Sequence, residues 1–362
     1  MTLTGLLGIE LPIVQAPMAG AHDHELAIAV ARAGGLGSLP CAMLGPDAIR
    51  AQVAAFRAAV AAPLHLNFFC HRLAPPDPAR EASWQARLAP YHAELGVEPA
   101  PAGGPARLPF DDAMCAVVEE LRPEVASFHF GLPDEPLLAR VRAAGAKIVS
   151  SATTVDEARH LAERGCDAII AQGAEAGGHR GMFLATDAGG QIGTFALVPQ
   201  IADAVAVPVI AAGGIADGRG IAAALALGAA GVQIGTAYLR CPEAKVSPPH
   251  RAALAALRAD DTRLQNVLTG RPARAILNRI VRELGVLRDD VPAFFYFVVV
   301  LAPVRAAAEA RGSGELSAMW AGQAAPLARE LGASELTRLL ASEAAAVVRA
   351  LPARWAAQLP DA

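Results

Sequence analysis

The chain has 362 residues, enough for two domains or for one large α/β barrel with additions. Apolar residues make up 54% and charged residues 18%, which excludes a disordered chain and leaves ample material for a core. The net charge of −4 offers no basic field to nucleic acid or to an anionic membrane surface, so neither is an expected partner. Five cysteines, Cys41, Cys70, Cys115, Cys166 and Cys241, form no CxxC pair. That argues against a zinc ribbon or a thioredoxin-type motif and fits a reducing, cytoplasmic compartment. The first 14 residues have no basic region ahead of their apolar stretch, so no signal peptide is expected. The longest apolar run, 291–304, is interrupted by Pro292 and Pro303 and falls short of the roughly 20 residues of a membrane span.

Short, almost continuously apolar runs alternate with stretches of helical period. The runs at 13–16, 35–39, 64–68, 125–128, 147–150, 168–171, 209–212 and 231–234 predict strands buried on both faces. Helices are predicted between most of them, at 25–33, 46–60, 136–144, 155–164 and 218–227. Eight strands alternating with helices imply an α/β protein built on a (β/α)8 TIM barrel over residues 1–244. A doubly wound sheet would more often carry a GxGxxG turn after its first strand, and none is present. The long connection 70–123 contains PPDP and PAPAGGPAR and predicts a surface excursion over the barrel mouth. Residues 245–323 predict a mostly helical region covering the site, and 324–362 predict helices that pack back on the barrel.

In such a barrel the chemistry sits where the strands end. The first strand ends in Ala16-Pro17-Met18, small enough for the backbone to approach a flat ligand. The third ends at Asn67, whose amide can donate and accept at a heterocycle edge. The fourth ends near His129, for which a structural role is expected. The sixth leads into the most informative segment, Gln172 to Gly181. It combines the glycine pair Gly177-Gly178 with Glu175, His179 and Arg180, and His179 is placed to act as a base near neutral pH. The seventh ends in Ala212-Gly213-Gly214 and the eighth in Gly235-Thr236. Loops at these two places commonly bind a phosphate through backbone N–H groups and a helix N-terminus.

No P-loop, GxSxG elbow or HExxH pattern occurs, so nucleoside triphosphatase, serine hydrolase and zinc protease chemistry are not expected, and no metal site is expected. His22, His24, His65 and His71 read as solvated or structural histidines.

The segments QAPMAG at 15–20, NFFCH at 67–71, SFHFG at 127–131, QGAEAGGHRG at 172–181, AAGGI at 211–215 and QIGTAYLRCPEA at 233–244 together resemble the nitronate monooxygenase family. TGRPAR at 269–274 and MWAGQ at 319–323 resemble its later motifs. The resemblance implies bound FMN, with the phosphate on Gly178, Gly213, Gly214, Gly235 and Thr236. It places the ring near Ala16, Pro17 and Met18, with Asn67 and Gln172 on its polar edge and Gln323 closing over it. His179 stands where the family has its active-site histidine. The implied activity is oxidation of alkyl nitronates, and of nitroalkanes, with dioxygen to carbonyl compounds and nitrite, in a homodimer. The alternative is an FMN-dependent NAD(P)H:quinone or enoyl-thioester reductase, and a non-enzymatic sensor of a phosphorylated ligand is the rival outside catalysis. One segment departs from the family pattern: 293–302 has no lysine and only one hydroxyl, that of Tyr296. This predicts an apolar pocket that disfavours a distal carboxylate unless Arg180 or Arg274 reaches in.

Overall fold

Alternation along each strand sorts the side chains into two layers, and the barrel follows from that sorting. A computed structural model describes residues 2–100, 107–258 and 260–358. Its strands are β1 (Ile13–Gln15), β2 (Gly37–Pro40), β3 (Leu64–Phe69), β4 (Val125–His129), β5 (Lys147–Ala152), β6 (Ala168–Gln172), β7 (Gly178–His179), β8 (Val209–Ala212), β9 (Gly231–Ile234), β10 (Thr262–Gln265) and β11 (Ala273–Ile276). Eight of them form one parallel sheet in the order β1-β9-β8-β6-β5-β4-β3-β2. A parallel bridge between Val14 and Leu36 joins the two edges and closes the TIM barrel.

Outward residues such as Ile13, Leu66, Phe128, Ile148, Ile169 and Val232 pack beneath the surrounding helices. Inward, Val14, Leu36, Val125, Val149, Ile170 and Ile210 meet Leu3 and Leu7 of the short helix Leu3–Leu7, which plugs the lower end. Gly231 makes room for that plug, since a Cβ there would lie 2.4 Å from Leu3 Cδ2. The helix Ala333–Ala356 lies against the barrel through Ala333, Leu336, Leu340 and Ala344, and Thr337 meets the Tyr238 hydroxyl at 2.7 Å.

Two elements were not visible in the sequence pattern. The connection after β3 contains the 18-residue helix Pro78–Leu95. Its Trp84, Leu88 and Tyr91 pack on Phe297, Val300 and Leu301 of the helix Tyr296–Ala310. The loop expected at 99–107 lies mostly outside the described residues. The covering region also carries a three-stranded antiparallel sheet, β10-β11-β7. Its third strand is the Gly178–His179 segment itself, with Ala273 opposite His179 and Arg274 opposite Gly178. The cover is therefore bonded directly to the loop that holds the candidate histidine.

Candidate active site

Above the apolar layer the inward positions turn polar. Ser38, His65, Asn67, Ser127, His129, Ser151, Gln172 and Gln233 follow the apolar inward residues at period two. Ser38, His65 and Ser127 lie within their strands, while Asn67, His129, Ser151, Gln172 and Gln233 lie toward the carboxyl ends, where barrel enzymes place their chemistry.

The three ionisable groups of the 172–181 loop have different roles. Glu175 accepts from the backbone N–H of Thr194 at 2.8 Å and from its hydroxyl at 2.9 Å, at the start of the helix Thr194–Ala204. Arg180 is fully buried and donates to the carbonyls of Gln172 (2.6 Å) and Gly173 and to Gln191 Oε1 (2.8 Å). Burial lowers its pKa to about 10, still a cation at neutral pH. These two residues build the turn, and His179 is left facing the cavity.

The His179 backbone carbonyl accepts from Gln172 Nε2 at 3.0 Å and from His129 Nε2 at 3.2 Å. The His179 ring meets Thr269 Oγ1 through Nε2 at 2.9 Å. Thr269 Oγ1 donates onward to the Arg271 carbonyl at 3.4 Å, so Nε2–H is the donor to Thr269 and Nδ1 keeps its lone pair. Burial first, then the charge of neighbouring His129 and Arg271, pulls the His179 pKa down to about 3. Its imidazole is neutral at any working pH.

Aromatic rings wall this cavity. Phe294 lies 5.0 Å, Trp320 5.1 Å, Phe130 6.0 Å and Phe69 6.4 Å from the His179 ring centroid. Phe130 (φ 72°) and Phe295 (φ 68°) both adopt the left-handed backbone, rare for bulky residues and costing on the order of 1–3 kcal/mol each. The Phe295 ring stacks on Phe294 at 3.9 Å. Phe297 turns away and packs on Trp84 instead.

The expectation of an apolar pocket reached by Arg180 or Arg274 is corrected. Arg180 is spent on the turn, and Arg274 donates to the Ala174 carbonyl at 2.9 Å and to Thr262 Oγ1. The cation at the cavity is Arg271. Its guanidinium carbon lies 4.2 Å from the Phe130 ring centroid and 5.8 Å from that of Phe294, and it donates to the Met182 carbonyl. Among the described residues no carboxylate lies within salt-bridge distance of it. Burial lowers its pKa to about 10, so it stays charged. Gly270 (φ +86°) makes this placement feasible, because a Cβ there would lie 2.3 Å from the Pro292 carbonyl.

The predicted glycines converge on the same mouth. A Cβ on Gly213 would lie 2.9 Å from Ala176 N, one on Gly214 would lie 3.3 Å from Glu175 Cβ, and one on Gly177 would lie 2.6 Å from Gly322 N. Gly235 faces Ala16 and Met18, at 3.4 and 3.5 Å from its would-be Cβ. Gly178 (φ +73°) differs: a Cβ there would meet nothing within 4 Å, so it borders open space. Thr236 Oγ1 accepts from Gly322 N at 3.0 Å, leaving its proton to donate elsewhere. Gln233 Oε1 is enclosed without a hydrogen-bond partner. Positive-φ backbone, open space at Gly178, a free hydroxyl proton and an orphaned acceptor suit a phosphorylated heterocycle.

The Ala16-Pro17-Met18 turn is tied down by His22, whose Nε2 accepts from Met18 N at 3.0 Å and lies 3.0 Å from Gln15 Nε2. Asn67 faces the mouth with its Nδ2 on Ser127 Oγ at 2.8 Å. The Gln172 amide is largely occupied, donating to His179 and accepting from Gly181 N at 2.7 Å, so it shapes the loop. Ala212 lies beside Gln172 and Gln233 in the sheet. Gln323 is held by its backbone N–H on the Glu175 carbonyl at 2.9 Å, and the residue is exposed. Arg271, Thr269 and Trp320 were not singled out from sequence, although the TGRPAR and MWAGQ segments that carry them were.

Comparison with known proteins agrees with this geometry. A family model described as nitronate monooxygenase matches residues 1–343. A nitronate monooxygenase of Paraburkholderia phytofirmans is 43% identical over 337 residues, covering 91% of each chain. One of Pseudomonas aeruginosa is 43% identical over 333 residues, covering 91% of this chain and 94% of its own. The solved nitroalkane oxidase of Streptomyces ansochromogenes superposes with a TM-score of 0.88 at 40% identity, over 96% of this chain and 99% of that one. FabK from Thermotoga maritima shares the architecture at a TM-score of 0.72 and 27% identity, over 98% and 99% of the two chains. With a histidine-bearing cavity at the mouth of a TIM barrel and relatives matched over nearly their full length, the chain belongs to the nitronate monooxygenase family of oxidoreductases.

Proposed function

We propose that this oxidoreductase uses FMN to oxidise alkyl nitronates with dioxygen, giving carbonyl compounds and nitrite. The observation that carries the reading is the pairing of a neutral His179 with a half-buried Arg271, which has no carboxylate at salt-bridge distance among the described residues, in one aromatic cluster beside the glycine cradle. Glu157 offsets part of the Arg271 charge without pairing with it, and a partly desolvated cation with no direct ion pair favours an anionic ligand such as a nitronate.

FMN, when bound, supplies the electron-transfer chemistry and the reduced state that dioxygen reoxidises. Gly178, Gly213, Gly214, Gly235 and Thr236 would hold its phosphate. The backbone of Ala16, Pro17 and Met18, with Asn67, would hold its ring. Arg271 attracts and orients the nitronate, and the rings of Phe69, Phe130 and Phe294 exclude water. With a neutral nitroalkane, His179 Nδ1 accepts the α-proton. Its low basicity makes that step slow, so the preformed nitronate is the better substrate.

The test is an aerobic assay of FMN-loaded protein with butyl-1-nitronate, reading oxygen uptake and nitrite. Nitrite release that depends on FMN supports the reading, and its absence refutes it.

A further inference from the structure

Ser38, His65 and Ser127 form a chain of buried polar groups across the barrel that ends at Asn67, and none of these three takes part in the chemistry proposed above. Ser38 Oγ lies 2.5 Å from the Gln15 carbonyl and 2.7 Å from His65 Nδ1. His65 Nε2 lies 2.5 Å from Ser127 Oγ, which lies 2.8 Å from Asn67 Nδ2. Ser38, His65 and Ser127 are each at most 1% exposed.

The direction of every bond follows from its first member. A carbonyl only accepts, so the Ser38 hydroxyl spends its proton on Gln15. Ser38 Oγ must then accept from His65 Nδ1–H. That leaves His65 Nε2 as a lone pair, which takes the Ser127 proton. Ser127 Oγ is left as an acceptor, so Asn67 must present its NH2 to it. We infer that His65 is a positioning residue: through Ser127 it fixes the Asn67 carboxamide with NH2 turned to the barrel interior and Oδ1 left for the ligand. Among the described residues Oδ1 accepts no hydrogen bond.

The consequence is chemical. Asn67 offers an acceptor to the mouth, and Gln233 Oε1, enclosed without a partner, offers a second. Together they suit the edge of a heterocycle that carries a ring N–H. Oxidised isoalloxazine has one such group, so this inference rests on the FMN reading. Burial holds the His65 pKa near 3, which keeps the relay singly protonated and one-directional at working pH. Gln15 extends the same network to the other side of the mouth, because its Nε2 meets His22, the residue that ties down Met18.

The test is a double-variant cycle on FMN affinity, read by quenching of flavin fluorescence. His65→Leu should weaken FMN about 10-fold, the value of one hydrogen bond to the ring. Asn67→Ala should weaken it by a similar factor, and the double variant no further than Asn67→Ala alone. A His65→Leu loss that persists undiminished in the Asn67→Ala background, or no loss at all, would overturn the inference. If His65→Leu fails to fold, the imidazole 15N spectrum of the unaltered holoprotein decides. A protonated Nδ1 and bare Nε2 from pH 5 to 8 supports the relay, and the opposite tautomer or an imidazolium refutes it. Should the unaltered protein take up no FMN, the functional reading fails, while the same spectrum on flavin-free protein still judges the relay.

Discussion

His129 donates its Nε2 proton to the backbone carbonyl of His179 at 3.2 Å, while its Nδ1 meets Ser151 Oγ at 3.0 Å. Both ring nitrogens are thus engaged within the barrel, and burial lowers its pKa to about 4. His129 supports the loop that carries His179 and has no lone pair left to take a proton from substrate. Between His129 and His179, it is His179 that keeps a ring nitrogen available to substrate.

That division predicts different phenotypes. His179→Asn should slow turnover of neutral nitroalkanes by roughly 10²–10⁴-fold, the range of general-base catalysis, and preformed nitronates far less. His129→Leu should slow both forms by the same factor, because it loosens the loop without removing a base. Steady-state kinetics on paired nitroalkane and nitronate substrates checks both. Equal losses on the two forms in His179→Asn would remove His179 as the base.

Arg271→Met should raise KM for alkyl nitronates about 10–100-fold, the worth of a charge-assisted hydrogen bond, with little effect on neutral nitroalkanes. Arg180→Met should instead lower Tm and FMN retention, since it strips donors from the Gln172 and Gly173 carbonyls. Nitronate KM unchanged in Arg271→Met would show that the anion is bound elsewhere.

Gly178→Ala should weaken FMN at least 10-fold while the protein stays folded, because the new methyl group enters the open space of the cradle. Gly312→Ala is the matched control. Gly312 has φ +74° against +73° at Gly178, and a Cβ there also meets nothing within 4 Å. The left-handed backbone costs both variants about 1–2 kcal/mol of stability. Similar Tm losses with FMN affinity lost only in Gly178→Ala is the expected outcome of calorimetry and flavin titration. FMN binding equal in the two variants would move the phosphate away from Gly178.

The barrel was legible because its strands are buried on both faces. Runs such as 168–171 and 209–212 stand out as continuous apolar stretches, and β6 and β8 form there. The glycine turns at 177–178, 213–214 and 235 were legible because their backbone freedom is written in residue type. The β10-β11-β7 sheet was not, since a two-residue strand such as Gly178–His179 has no period to read. Pro90 inside the helix Pro78–Leu95 and the prolines around it made that segment look like loop. Arg180, Arg271 and Arg274 are alike in sequence. Which of them faces substrate depends on which backbone carbonyls lie in reach, and only the fold decides that.

Six histidines are held neutral by burial, with pKa values of about 3 for His65 and His179 and about 4 for His22, His71, His129 and His250. Each lies below the unfolded value of 6.5, so the unfolded chain binds protons that the folded one does not. Their contribution to stability is complete above pH 6.5 and is lost as pH falls from there toward 4. Each histidine adds up to about 1.4 kcal/mol per pH unit to that slope. Tm should therefore drop steeply between pH 6.5 and 5 in thermal melts of flavin-free protein. A flat or rising Tm over that interval would contradict the buried neutral state.

In the proposed function a nitronate, bound between His179 and Arg271, delivers electrons to FMN. Anaerobic mixing of FMN-loaded protein with butyl-1-nitronate, followed by its visible spectrum, tests it most directly. The expected result is prompt loss of the oxidised flavin band with nitronate, its return with nitrite release when air is admitted, and little change with NADH or NADPH alone. Rapid bleaching by a nicotinamide with no response to nitronate would contradict it and place the chain among reductases on the same barrel.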